Sequence, residues 1–191
     1  MLQRLRYTCA GLVLCALAWS GFAEAAPLPA LEGARTLYAE TADGERFRLG
    51  TVEFTPDGAG YRFTLDLDEA AFVDKFLSMT PFNCLDGPQA TFCHMPYPYP
   101  MRSRITADDT VDLTYALFFF YKGQAEFHAA FFNGLYYRIR PDGDGLVGEP
   151  LEVDLNLLVV PPTEGEMRPI KPTDLTEIDL DSHWLRRLVI R

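Results

Sequence analysis

Histidine is scarce in this 191-residue chain, which has only His94, His128 and His183, and cysteine stops at four. So few imidazoles and thiols leave little material for a metal centre. Serine is thin as well: beyond residue 25 only Ser78, Ser103 and Ser182 occur, and none sits in the Gly-x-Ser-x-Gly elbow that exposes a nucleophile. Neither a phosphate-cradling glycine loop nor a dinucleotide fingerprint is found. Positive charge is short too, with 17 Lys and Arg against 27 Asp and Glu for a net charge of −10. That excess of acid repels phosphate backbones and anionic lipid surfaces, which sets nucleic acid aside as a partner. No apolar run reaches the ~20 residues that a membrane-spanning helix needs, so no membrane span is expected.

What is present at the N terminus reads as an export signal. Arg4 and Arg6 precede the apolar residues 12–18, and small residues come next at Ala23 and Ala25, the two positions that signal peptidase reads. Residues 1–25 are therefore expected to be a signal peptide cleaved after Ala25, leaving a periplasmic or secreted protein. The loss of Arg4, Arg6 and Glu24 makes the remainder one charge unit more acidic. Lipidation at Cys15 is disfavoured because Leu14 stands where a lipobox wants Gly, Ala or Ser. With Cys9 and Cys15 removed, Cys84 and Cys93 remain, separated by eight residues that include the turn-forming Asp86-Gly87-Pro88. In an oxidising compartment this pair is predicted to form a disulfide. A ring this short stabilises the fold by about 2–3 kcal/mol, mainly by restricting the unfolded chain.

Residues 26–160 read as one antiparallel β domain, with residues 161–191 as coil and a C-terminal segment packing on it. Tyr61, Phe63, Leu65 and Leu67 alternate with polar residues, the period-2 signature of a half-buried strand. Phe47 and Leu49 fall one step out of phase with Val52 and Phe54, so a β-bulge is expected near Gly50. With turns at Asp43-Gly44 and Pro56-Asp57-Gly58, residues 36–67 form a three-stranded meander. Asp68 is expected to cap a helical turn or two that bury Phe72, Val73, Phe76 and Leu77. Residues 83–100, with prolines at 96, 98 and 100, are expected to be an ordered loop pinned by the disulfide.

Residues 113–121 read as a strand apolar on both faces, hence central or covered by another segment. A strand at 126–132 turning through Asn133-Gly134 into 135–139 makes a hairpin, with a helix ending at Gly134 as the competing reading. Pro141-Asp-Gly-Asp-Gly145 is a further turn, followed by strand residues Leu151, Val153, Leu155 and Leu157, and the tail from Asp174 docks back onto the body. The expected fold is mainly β, an antiparallel barrel or sandwich, lipocalin-like by preference, with one or two short helices.

Candidate chemistry is sparse. Cys84, Cys93, His94 and His128 match no zinc spacing, and Asp142 opens no EF-hand loop because Leu146, Val147 and Val153 fall where ligands and glycine belong. Asp108, Asp109 and Asp112 read as a solvated cluster at the start of a strand. A copper carrier would use His94, Met95 and Met101, and a hydrolase-type enzyme would use His94 with Asp86. The leading expectation is neither: no catalytic residue, no metal and no cofactor. Instead the aromatic residues Tyr97, Tyr99, Phe118, Phe120 and Tyr136 either form the core of the β domain or, with His94, line the mouth of a barrel. There they bind a small apolar or aromatic ligand, or a periplasmic partner protein. Trp184 is the one tryptophan beyond the leader.

Four segments carry a resemblance: Leu77-Ser-Met-Thr-Pro-Phe-Asn-Cys84, Cys93-His-Met-Pro-Tyr-Pro-Tyr99, Asn133-Gly-Leu-Tyr-Tyr137 and Ser182-His-Trp-Leu185. In these the chain resembles an uncharacterised family of exported proteobacterial proteins. The resemblance implies export to a periplasm and transfers no catalytic residue.

Overall fold

The structure, a computed structural model, describes residues 27–191; the leader and its cleavage site lie outside the described residues. Twelve strands make one antiparallel sheet among them. In chain order they are β1 (Gly33–Thr41), β2 (Arg46–Asp57), β3 (Gly60–Leu67), β4 (Val73–Leu77), β5 (Thr80–Asp86), β6 (Ala90–His94) and β7 (Arg104–Thr106). The helix α1 (Val111–Ala116) is next, then β8 (Phe119–Gly123), β9 (Gly134–Asp142), β10 (Gly145–Val153), β11 (Thr176–Glu177) and β12 (Leu185–Ile190). The hydrogen-bonded path runs β4-β5-β6-β8-β9-β10-β12-β1-β2-β3-β7, with β11 beside β10. Its ends, β4 and β7, do not pair with each other, so the sheet is open and the closed lipocalin-like barrel does not form by strand pairing.

The meander at residues 36–67 stands as the alternation predicts. The register between β1 and β2 slips at Leu37/Tyr38, opposite Leu49 and Gly50, and so Leu49, Val52 and Phe54 all reach the core. Asp68 does cap, its Oδ1 accepting from the Ala70 N–H at 3.2 Å, but the element it caps is a single 3-10 turn at Glu69–Ala71, succeeded by the edge strand β4. Residues 83–94 are also more regular than expected. They form the β5–β6 hairpin in which Cys84 and Cys93 lie directly opposite, joined by a buried disulfide. Only residues 95–103 behave as the proline spacing demands.

The apolar run at 113–121 splits. Asp109 Oδ1 accepts the Val111 N–H at 3.1 Å and starts α1, and β8 begins only at Phe119. A run apolar on every side has no period to tell helix from strand, so local capping decides. The helix then occupies the gap in the sheet. Thr110 and Thr114 donate their hydroxyls to the Ile139 and Tyr137 carbonyls of β9, each at 2.7 Å, where β8 has left that edge. On its other side Asp112 accepts the Arg104 N–H of β7 at 3.2 Å. Asp112 is thereby buried and not solvated, and Arg168 pairs with it and with Asp109.

The expected hairpin at Asn133-Gly134 is absent. Residues 131–133 are a 3-10 turn, Gly134 begins β9 with extended φ −78° and ψ 152°, and the chain from β8 to β9 loops through residues 124–130. Gly134 is there for close approach, because a Cβ would lie 2.3 Å from Leu155 Cγ. The tail does more than dock, since β12 inserts between β10 and β1.

Two cores result, one on each side of β8. Phe119 joins Leu37, Leu49, Val52, Phe54, Phe92, Tyr137 and Leu188 on one face. Phe118 and Phe120 join Cys84, Cys93, Tyr97, Tyr115, Leu155 and Ile170 on the other face. A strap of residues 159–171 joins this second core through Ile170. It is held by Tyr99 Oη on the Val159 carbonyl, Tyr97 Oη on the Met167 carbonyl at 2.8 Å, and the Ile170 N–H on Tyr115 Oη at 3.0 Å.

At the β4–β5 turn Ser78 and Met79 take φ 48° and 68° between the paired residues Leu77 and Thr80. Two successive left-handed residues suit Asn-Gly and cost a side chain such as Met about 1–2 kcal/mol. Met79 is 83% exposed, so its side chain recovers little of this by packing. Met79→Gly is therefore expected to raise stability by about 0.5–1 kcal/mol, seen as a higher urea midpoint at unchanged slope, and Met79→Val to lower it.

Candidate functional site

An open cleft of about 720 Å³ lies at the end of the first core, walled by the β1–β2 hairpin tip, the start of β4 and the end of β5. The tip is built by turn chemistry. Thr41 N–H donates to the Glu45 carbonyl at 2.9 Å, Glu45 N–H donates to Thr41 Oγ1 at 3.1 Å, and Gly44 supplies φ 80°. It is tied to the tail by the Ala42 N–H, which donates to the Trp184 carbonyl at 3.2 Å. The facing wall is the β5–β6 turn, where Gly87 N–H meets the Ala90 carbonyl at 3.0 Å and Gln124 Nε2 donates to the Gly87 carbonyl at 2.6 Å.

Trp184 sits between the walls. Its ring meets Phe47 and Phe92 edge-on, each with centroids 5.8 Å apart. The indole lies against Gly87 so closely that a Cβ there would fall 1.9 Å from Nε1, which accounts for glycine at this position. Buried by that contact, the Trp184 Nε1–H has no acceptor among the described residues. Ala71, Val73, Leu85 and Pro88 supply further apolar lining, while Phe47 remains 39% exposed in the cleft.

The charged lining residues are Asp43, Glu45, Arg46, Arg48 and Asp86. Arg46 donates to Glu40 at 2.8 Å, and Arg48 pairs with Asp68. Asp86 receives Lys75 Nζ at 2.7 Å and the Thr91 hydroxyl at 2.8 Å, and these two bonds hold its carboxyl below the usual aspartate value. Asp43 and Glu45 make no side-chain bond or ion pair with the described residues.

The residues singled out from the sequence lie elsewhere. Tyr97, Phe118 and Phe120 are buried, and Tyr99 and Tyr136 half-buried, in the second core beneath the strap. The structure does bring these five together, as packing under residues 159–171 and not at an open mouth. His94 is on the opposite face of β6, its ring against Phe119, so it and Met95 leave the strand on different sides and do not converge with Met101. His94 and Asp86 are not brought together either: Asp86 pairs across the hairpin with Thr91, three residues (about 10 Å) from His94. Cys84 and Cys93 do come together, as expected. No cluster of three or more His, Cys, Asp or Glu suited to a metal ion occurs among the described residues. Phe47 was visible in the sequence only as a core residue and Trp184 only as a tail aromatic. Their meeting depends on contacts that no local pattern encodes.

The His94 Nε2–H donates to the Ala116 carbonyl at 3.0 Å, since a carbonyl can only accept. Burial disfavours the imidazolium and pushes its pKa below the ordinary 6.5, against the smaller opposing pull of that hydrogen bond. The unfolded chain thus takes up a proton near pH 6.5 that the folded chain refuses. Stability contributed by neutral His94 is full above that pH and falls as pH drops. Stability in urea unfolding is therefore expected to fall as pH drops below about 6.5, and His94→Gln, which keeps the donor, is expected to remove that dependence.

No protein-family model, no curated protein and no solved structure matches this chain.

Proposed function

We propose that the chain is an exported, non-enzymatic binding protein, released from its leader after Ala25, that takes a small apolar or ring-bearing ligand between Phe47 and Trp184. The observation that carries the reading is an open cleft walled by aromatic and aliphatic side chains with a few polar groups at its rim, the usual make-up of a small-molecule site. The acid–base candidates give an enzyme little to work with, because His94 is buried on a carbonyl and Asp86 is held by Lys75 and Thr91. A periplasmic location agrees with the Cys84–Cys93 disulfide and with the resemblance to exported proteobacterial proteins. Side chains fill the space on both faces of β8, which leaves the rim of the antiparallel sheet for the ligand.

The test uses N-phenyl-1-naphthylamine, a neutral ring probe whose emission rises in apolar surroundings. It is expected to bind the full chain, and Phe47→Ser, at a half-exposed site outside the packed core, is expected to weaken binding about five- to thirtyfold, equivalent to about 1–2 kcal/mol of ring burial. Phe132→Ser, at an exposed ring that does not line the cleft, serves as the control and is expected to leave binding unchanged. Binding that ignores Phe47→Ser, or no binding at all, overturns the proposal.

A further inference from the structure

Resting on that ligand reading, we infer that the cleft selects an organic cation: a ring-bearing amine or quaternary ammonium, in preference to a neutral or anionic molecule of the same shape. Most of the charges that line it are already matched. Arg46 is engaged by Glu40, which also receives Arg187, and Arg48 is engaged by Asp68; neither carboxylate is itself part of the lining. Asp86 is engaged by Lys75, likewise outside the lining. Of the charged side chains in the lining, Asp43 and Glu45 on the hairpin tip are the two that bond no described residue. Both are negative, whereas the nearby guanidinium groups of Arg46 and Arg48 each have a carboxylate partner.

The rings point the same way. Phe47 and Trp184 both line the cleft and pack edge to face, at 79°. Aromatic faces carry negative quadrupole density, indole more than benzene, so a positive group seated against these rings is attracted by the walls as well as by the rim. Ala71, Val73, Leu85 and Pro88 offer apolar contact to the ligand's body but no donor to replace the water shell of a small inorganic cation. A cation that is weakly hydrated and carries its own apolar surface matches both the apolar lining and the two carboxylates. The chain's net charge of −10 steers such ligands towards it at low ionic strength.

The experiment is calorimetric titration of the full chain with benzyltrimethylammonium, with its neutral carbon isostere neopentylbenzene, and with the anion benzenesulfonate. The cation is expected to bind about tenfold more tightly than the isostere, with affinity falling as salt is raised from about 50 to about 500 mM. The double variant Asp43→Asn/Glu45→Gln is expected to reduce that preference and to remove its salt dependence while leaving neopentylbenzene binding as it was. Glu45 holds the hairpin through its backbone N–H and carbonyl, and neither side chain bonds within the turn, so the substitutions keep it. Equal or tighter binding of the neutral isostere, or preference for the sulfonate, overturns the cation inference while the ligand reading stands. Failure of all three probes to bind overturns both.

Discussion

Burial of β8 on both faces is the constraint around which the molecule is arranged. A strand that carries Phe119 and Phe120 directly after the buried Phe118 cannot present one face to water. The chain must therefore build cover on two sides. Residues of β1, β2, β3, β9, β10 and β12 pack with Phe119, while Phe82 and Phe131 pack on Phe120, Tyr115 and Tyr136 pack on Phe118, and Ile170 of the strap joins the same core. Each fully buried phenylalanine is worth about 3–5 kcal/mol against alanine, so this one strand accounts for a large share of a marginal total stability.

The strap's own contacts answer that demand. An irregular segment over a core carries backbone groups that require partners, and tyrosine hydroxyls supply them at Val159, Met167 and Ile170. Arg168 locks the middle of the strap onto Asp109 and Asp112, and Asp112 in turn fixes α1 to the Arg104 N–H of β7. The disulfide works on the same layer: Cys84 and Cys93 are opposite one another in a hairpin that packs on β8, so the crosslink fastens β5 to β6 where the second core begins. The aromatic residues near the proline-rich segment are thus occupied in holding cover in place. The open cleft forms elsewhere, where the β1–β2 tip, the β5–β6 turn and Trp184 meet.

How much of this the sequence revealed depends on how local the determinant is. The 36–67 meander, its bulge, the turns at Asp43-Gly44, Asp57-Gly58 and Asp142-Gly143, and the Cys84–Cys93 bond are set by neighbouring residues, and all were legible. The Asp68 cap was legible too. The strand after it was not, because Val73 and Phe76 keep a helix-like spacing while lying exposed on an edge strand. Leu113 to Tyr121 misled for the opposite reason, having apolar residues everywhere and hence no period. Asn133-Gly134 has the composition of a hairpin turn, yet contact with Leu155 decides its use. The insertion of β12 and the pairing of Phe47 with Trp184 depend on segments more than a hundred residues apart, and no windowed pattern reaches that far.

The central claim is that ligand goes to the rim cleft and not to the aromatic cluster under the strap. Hydrogen–deuterium exchange with and without N-phenyl-1-naphthylamine tests it in one comparison. Added protection is expected in residues 41–48 and 84–90, with residues 95–101 and 115–121 exchanging as before. Protection confined to residues 95–101, 115–121 and 159–171 would instead place the ligand in the second core and contradict the claim.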